Sequence, residues 1–148
     1  MMNMLAKAIQ IASEAHLNQI DKGGKPYILH PLWVMDKVRH LGEDYMVVAV
    51  LHDVIEDTNW TLDNLRIVLS ACDNYTDNII TALSLLTKVL EDQDYMNYIR
   101  NISFNPIAKE VKLRDLEHNT KITRLKGLRK KDFDRLEKYH RAYTYLLD

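Results

Sequence analysis

The chain has 148 residues, of which 47% are hydrophobic and 28% charged, and its formal net charge is −1. That balance suits one globular domain over 1–148 and excludes a disordered or collagen-like chain. The lone cysteine, Cys72, excludes an internal disulfide and has no evident partner base for nucleophilic catalysis. No apolar run approaches the ~18 residues of a membrane span, and the N-terminus lacks the pattern of a signal peptide, so a cytoplasmic, membrane-free chain is expected.

Few breakers (4 Gly, 3 Pro) and helical apolar spacing predict an all-α fold. Leu5, Ala8, Ile9, Ala12 and Ala15 share one stripe and predict a first helix over 3–20. Gly23, Gly24 and Pro26 break it into a loop over 21–29. A second helix is expected to start at His30-Pro31, where a proline lacks only an N–H that would go unpaired anyway, and to end at Gly42. The Val- and Ala-rich run that follows would also suit a buried strand. A helix over 43–56 is preferred because His52, Asp53, Glu56 and Asp57 recur at i, i+1, i+4 and i+5, on one broad face. Further helices are expected over 62–71 (opened by Thr61 with Asn64), 75–87, 92–102, 106–124 (opened by Asn105-Pro106) and 131–146, with Gly127 separating the last two.

Charge is unevenly spread. Glu43 to Met96 holds eleven acids against two bases, and Lys121 to Arg141 holds nine bases against three acids. The basic stretch is read as a solvated helix laced with ion pairs rather than as a nucleic-acid surface. Some of its cations would also suit the surroundings of an anionic substrate.

Three segments carry ligand-type side chains. His52 beside Asp53 offers a nitrogen and an oxygen, a mixed set that suits manganese, iron or zinc better than calcium. Glu56 and Asp57 follow one turn later, and four ionisable groups after an apolar run are costly near a core without a cation. His30 stands at a helix start after a Gly-containing loop, and Asp115 and Asn119 share a helix face at i, i+4. Taken singly, His30 also fits a loop-backbone contact, Asp115 an ion pair with Lys112 or Arg114, and the 52–57 cluster a helix end that reaches solvent. Spacing alone does not choose between these readings.

The segments in order do more. Ala15-His16, Gln19, Lys22, Gly24, Pro26-Tyr27-Ile28 and His30-Pro31 come first, then Leu51-His52-Asp53, Glu56-Asp57-Thr58 and Leu86-Thr87-Lys88. Tyr95, Tyr98, Val111-Lys112-Leu113, Asp115 and His118-Asn119 complete the series. This set resembles the HD superfamily of metal-dependent phosphohydrolases, and within it the hydrolase domain of the RelA/SpoT family, which includes small stand-alone alarmone hydrolases. The resemblance implies an all-helical HD fold with one divalent ion, usually manganese, held by His30, His52, Asp53 and Asp115. It implies that Glu56 and Asp57 position or activate the attacking water. It also implies that Lys22 and Asn119 touch a nucleotide substrate near its sugar and phosphates. The reaction implied is removal of the 3′-pyrophosphate of (p)ppGpp, as a hydrolase without a synthetase half, serving the stringent response.

One position departs from the pattern. Asp21 stands where guanine-recognising members often carry an arginine able to stack on the base, and a carboxylate there would repel an anionic ligand. It motivates a second reading, an HD phosphohydrolase acting on another nucleotide or phosphoester. A nucleotide-binding regulator without turnover is the third. The remaining histidines are expected outside the metal set, with His118 nearest to it, His16 beside the loop, and His40 and His140 on the surface.

Overall fold

The computed structural model describes residues 1–88 and 94–148. Its helices are α1 (Met4–Ala15), α2 (Leu29–Lys37), α3 (Glu43–Leu51), α4 (Val54–Asp57), α5 (Leu62–Ser70), α6 (Asp77–Leu86), α7 (Tyr95–Ser103), α8 (Pro106–Asn119) and α9 (Lys130–Leu147). Two isolated bridges, Met2 with Cys72 and Ile20 with Pro26, are the only β pairing among the described residues. The all-α expectation holds.

Side-chain caps fix the helix starts where the sequence placed them. The Thr61 hydroxyl accepts the Asn64 amide at 3.1 Å, and the Asn105 side chain accepts the Ala108 amide at 2.9 Å. Asn3 caps α1 in the same way through Ala6.

Four expected boundaries are corrected. The first helix ends at Ala15 rather than 20, because His16 caps its C-terminus and Ile20 pairs with Pro26 across the loop. The second ends at Lys37 and passes through a 3₁₀ turn, Arg39–Leu41, before Gly42 at φ 118° reverses the chain. The helix expected over 106–124 stops at Asn119, and Ile122–Arg124 forms a separate 3₁₀ turn. The helix expected from 92 is seen from Tyr95; its first positions lie outside the described residues.

The fourth correction shapes the site. The helix expected over 43–56 breaks at His52-Asp53 into α3 and α4. The His52 Nδ1–H donates to the Ala49 carbonyl at 2.6 Å, taking the acceptor that a continuous helix would give to the Asp53 amide. The break turns both side chains inward.

Two helices form the centre. In α3, Val47 to Leu51 are all buried, which explains why its sequence reads as continuously apolar. α8 packs against α2, α3, α6, α7 and α9, so it too is covered around its circumference. Val34, Leu65, Leu83, Ile99, Val111 and Leu146 join them in one hydrophobic cluster. The ionisable groups of α8 and α3 are thereby held at the middle of the molecule. No described helix is long and apolar enough to cross a membrane.

Candidate active site

His30 comes from the first turn of α2, His52 and Asp53 from the α3–α4 break, and Asp115 from the centre of α8. One ligand atom from each lies within 4.8 Å of every other. His30, His52 and Asp115 are buried and Asp53 is half-buried. The Asp115 Oδ1 is 2.8 Å from the His30 Nε2 and 3.3 Å from the His52 Nε2, and the Asp53 Oδ2 is 3.0 Å from the His52 Nε2.

Outer partners set the orientation of both rings. The His52 Nδ1–H is committed to the Ala49 carbonyl, leaving Nε2 to face the carboxylates. The His30 Nδ1 lies 2.7 Å from the His118 Nδ1. Burial, with the charge of Arg124 beside it, pushes the His118 pKa down to about 4. Each Nε2 faces a carboxylate oxygen. Two imidazole nitrogens and two carboxylates converging in this way are a donor set able to hold a divalent ion.

The charge balance points the same way. Lys112 reaches Asp115 Oδ2 at 2.9 Å from within α8. One lysine against two carboxylates leaves one negative charge in a buried place, which is costly. A divalent ion would turn the local balance to one positive charge, fit for a phosphate. Without such an ion the carboxylates draw a proton to His52. Burial opposes charge on His52, yet Asp53 and Asp115 raise its pKa well above the ordinary value. Burial likewise opposes the charge of Asp53, but His52 holds its pKa down at about 2. Asp115 is held well below the carboxylate range against burial by Lys112, His30 and His52.

The acids of α4 stand at the rim. Glu56 and Asp57 both reach solvent, and neither belongs to the four-residue cluster. Burial of their inner sides, with the charge of Asp53, raises both pKa values. Glu56 accepts the Lys88 amide, which ties it to the end of α6, and Asp57 accepts Gln19 Nε2–H at 3.1 Å.

A cleft of about 310 Å³ opens beside the cluster, with His30, Lys22, Asn119, Lys121, Arg135 and Tyr139 among its walls. Lys22 and Asn119, expected to touch substrate, thus share one cavity with a cluster residue. Asn119 also donates to Asp115 Oδ1 at 2.9 Å, so it orients a cluster carboxylate as well.

No protein-family model matches the chain. Over 122 residues it is 32% identical to the MESH1 guanosine-3′,5′-bis(diphosphate) 3′-pyrophosphohydrolase of Danio rerio, covering 78% of this chain and 67% of that one. The chain belongs to the RelA/SpoT-type (p)ppGpp hydrolase family. Longer RelA/SpoT-type relatives match over one segment only. The bifunctional (p)ppGpp synthase/hydrolase RelA of Mycobacterium tuberculosis is 30% identical over 83% of this chain, and the Aquifex aeolicus 3′-pyrophosphohydrolase is 29% identical over 79%. The chain spans 17% of the length of each. The fold is also that of a solved metazoan ortholog of SpoT, with a TM-score of 0.77 at 22% identity over 97% of this chain and 85% of the other.

Beside the cluster, three residues of the motif series find their partners, while Arg135 and Tyr139 were not legible as functional in the sequence. Tyr27 donates its hydroxyl to Asp53, Lys112 neutralises Asp115, and His118 is stacked between His30 and Trp33 at ring separations of 5.0 and 4.4 Å. Arg135 and Tyr139 line the cleft from α9; their i, i+4 spacing was the available signal. His16 sits by the loop as expected, its Nδ1 2.7 Å from Gln19 Oε1, and His40 and His140 are exposed.

Proposed function

We propose that this chain is a metal-dependent pyrophosphohydrolase that removes the 3′-pyrophosphate of (p)ppGpp, with manganese at His30, His52, Asp53 and Asp115. The observation that carries the reading is the buried four-residue cluster whose ring nitrogens face carboxylates, opening on a basic cleft, in a chain related to enzymes of that activity. The two-nitrogen, two-oxygen donor set suits manganese. A cytoplasmic setting agrees with the reduced, buried Cys72.

When bound, a divalent ion would lower the pKa of a coordinated water and screen phosphate charge. The residues of the chain supply the rest. Glu56 is the general base: its raised pKa brings it closer to the operating pH, and its tie to the Lys88 amide fixes its direction. Asp57, held by Gln19, positions the same water. Lys22 approaches phosphate oxygens from its loop as a point charge; burial and Arg135 lower its pKa. Asn119 links the sugar–phosphate side of the cleft to Asp115. Positioning and charge neutralisation then provide most of the catalysis.

Purified protein incubated with manganese and a panel of ppGpp, pppGpp, nucleoside triphosphates and 3′-phosphorylated nucleotides tests this reading. Conversion of ppGpp to GDP and pyrophosphate is expected. Turnover of another nucleotide with ppGpp intact would support the HD phosphohydrolase reading that Asp21 motivates.

A further inference from the structure

Asp21 does not face the cleft as a free anion. Its Oδ1 accepts the amides of Gly23 and Lys25, both at 2.9 Å, and its Oδ2 accepts Arg124 Nη2–H at 3.1 Å. Burial works against its charge, but the two amides and Arg124 outweigh it and lower its pKa. Arg124 is held at a second point, donating Nη1–H to the His118 carbonyl at 3.1 Å, in the last turn of α8. The loops touch at the backbone as well: a Cβ on Gly23 would clash with the Arg124 carbonyl. Two segments 103 residues apart are thus locked together by one arginine.

That arginine lines the cleft, and so do Ile20 and Leu125 on either loop. Its charge is already matched by Asp21, and its Nη atoms are engaged, so it adds little to the attraction of phosphate. Lys22 and Lys121, on the same cleft, serve that purpose better. What a pinned guanidinium offers is a rigid planar face, suited to stacking on another plane. Ile20 is 67% exposed, and with Leu125 on the facing loop it supplies apolar surface that a flat ring would cover.

We infer that Arg124, clamped by Asp21, is the nucleobase-binding residue of this chain, and that with Ile20 and Leu125 it forms the base subsite of the cleft. Asp21 is the positioning residue: it fixes the loop through Oδ1 and the guanidinium plane through Oδ2. The inference deepens the proposed function and rests on it for the placing of a nucleotide in this cleft.

Binding of GDP and of inorganic pyrophosphate to the manganese-loaded protein, measured by calorimetry, separates the base from the phosphates. Arg124→Ala is expected to weaken GDP about tenfold, the range of a partly desolvated cation–π contact, and to leave pyrophosphate unchanged. Asp21→Asn keeps an acceptor for the loop amides and loses the charge on Arg124, so it is expected to weaken GDP less, with pyrophosphate again unchanged. Thermal melts of both variants check the fold. Equal losses for GDP and pyrophosphate would make Arg124 a phosphate or scaffold residue and overturn the inference, as would no loss of GDP. Hydrolysis of ppGpp by the unmodified chain judges the proposed function separately. A protein that binds GDP through Arg124 yet leaves ppGpp intact would sink that reading and keep this subsite.

Discussion

At the scale of single residues, each carboxylate of the site has a distinguishable task. Glu56→Gln removes the proposed base and leaves the four cluster residues untouched, so on the proposed reading manganese content should persist while turnover falls by about 10²–10⁴-fold, the usual worth of a positioned general base. Metal analysis of the purified variant beside its kcat checks this, and near-normal turnover would dismiss the role. Lys112→Met tests the charge balance. It leaves Asp115 Oδ2 without its cation, and breaking a buried pair costs about 3–5 kcal/mol. The loss should be large in the metal-free protein and smaller with manganese present, read from melts with and without the ion. Asp21 gives a pH prediction. Its folded pKa is lowered, so the Asp21–Arg124 contribution is whole above the ordinary carboxylate value of 3.8 and drains away as pH falls through the lower folded value. The ratio of GDP affinities between the unmodified chain and Asp21→Asn should therefore stay flat across the neutral range. The ligand-type residues were visible in the sequence, but their spacing alone did not choose between a metal site and ordinary ion pairs; the ordered motif series of the resemblance singled them out. Arg124 was not legible, since a pair spanning 103 residues leaves no periodic trace, and Asp21 alone reads as a repulsive charge.

At the scale of elements, caps and close approaches hold the site. α8 carries Asp115, His118 and Asn119, and Asn105 begins it by accepting the Ala108 amide. Asn105→Ala should cost about 1 kcal/mol, a fall of about 2–4 °C in Tm for a chain of this size, with little change in kcat. Gly23→Ala should do more harm to substrate affinity than to stability. Its Cβ would meet the Arg124 carbonyl, which is backbone and cannot swing away, so the two loops must part and KM for ppGpp should rise. The helix starts at Thr61 and Asn105 were legible because capping is local chemistry. The break between α3 and α4 was not. The 43–56 segment has the propensity and periodicity of one helix, and only the capture of the Ala49 carbonyl by the His52 ring divides it. That division brings His52 and Asp53 to the cluster and leaves Glu56 and Asp57 at its rim, where a shared helix face would have put all four together.

At the scale of the whole molecule, a single hydrophobic cluster surrounds a small charged centre, and the two are linked energetically. If the carboxylates and imidazoles gathered between α2, α3 and α8 hold a divalent ion as proposed, that ion should stabilise the folded state increasingly with its free concentration. The basic stretch Lys121–Arg141, read from the sequence as a solvated helix, places Lys121 and Arg135 on the cleft beside the Asp21-paired Arg124, so part of that charge faces the substrate side. The central claim is that this centre and its rim acid together release pyrophosphate from ppGpp. The measurement that tests it most directly is pyrophosphate release from ppGpp by the unmodified chain and by Glu56→Gln, at matched manganese occupancy and with a chelated control. The account predicts stoichiometric GDP and pyrophosphate from the unmodified chain, and almost none from the variant or after chelation. Intact ppGpp in the presence of bound manganese, or equal release by Glu56→Gln, would contradict it.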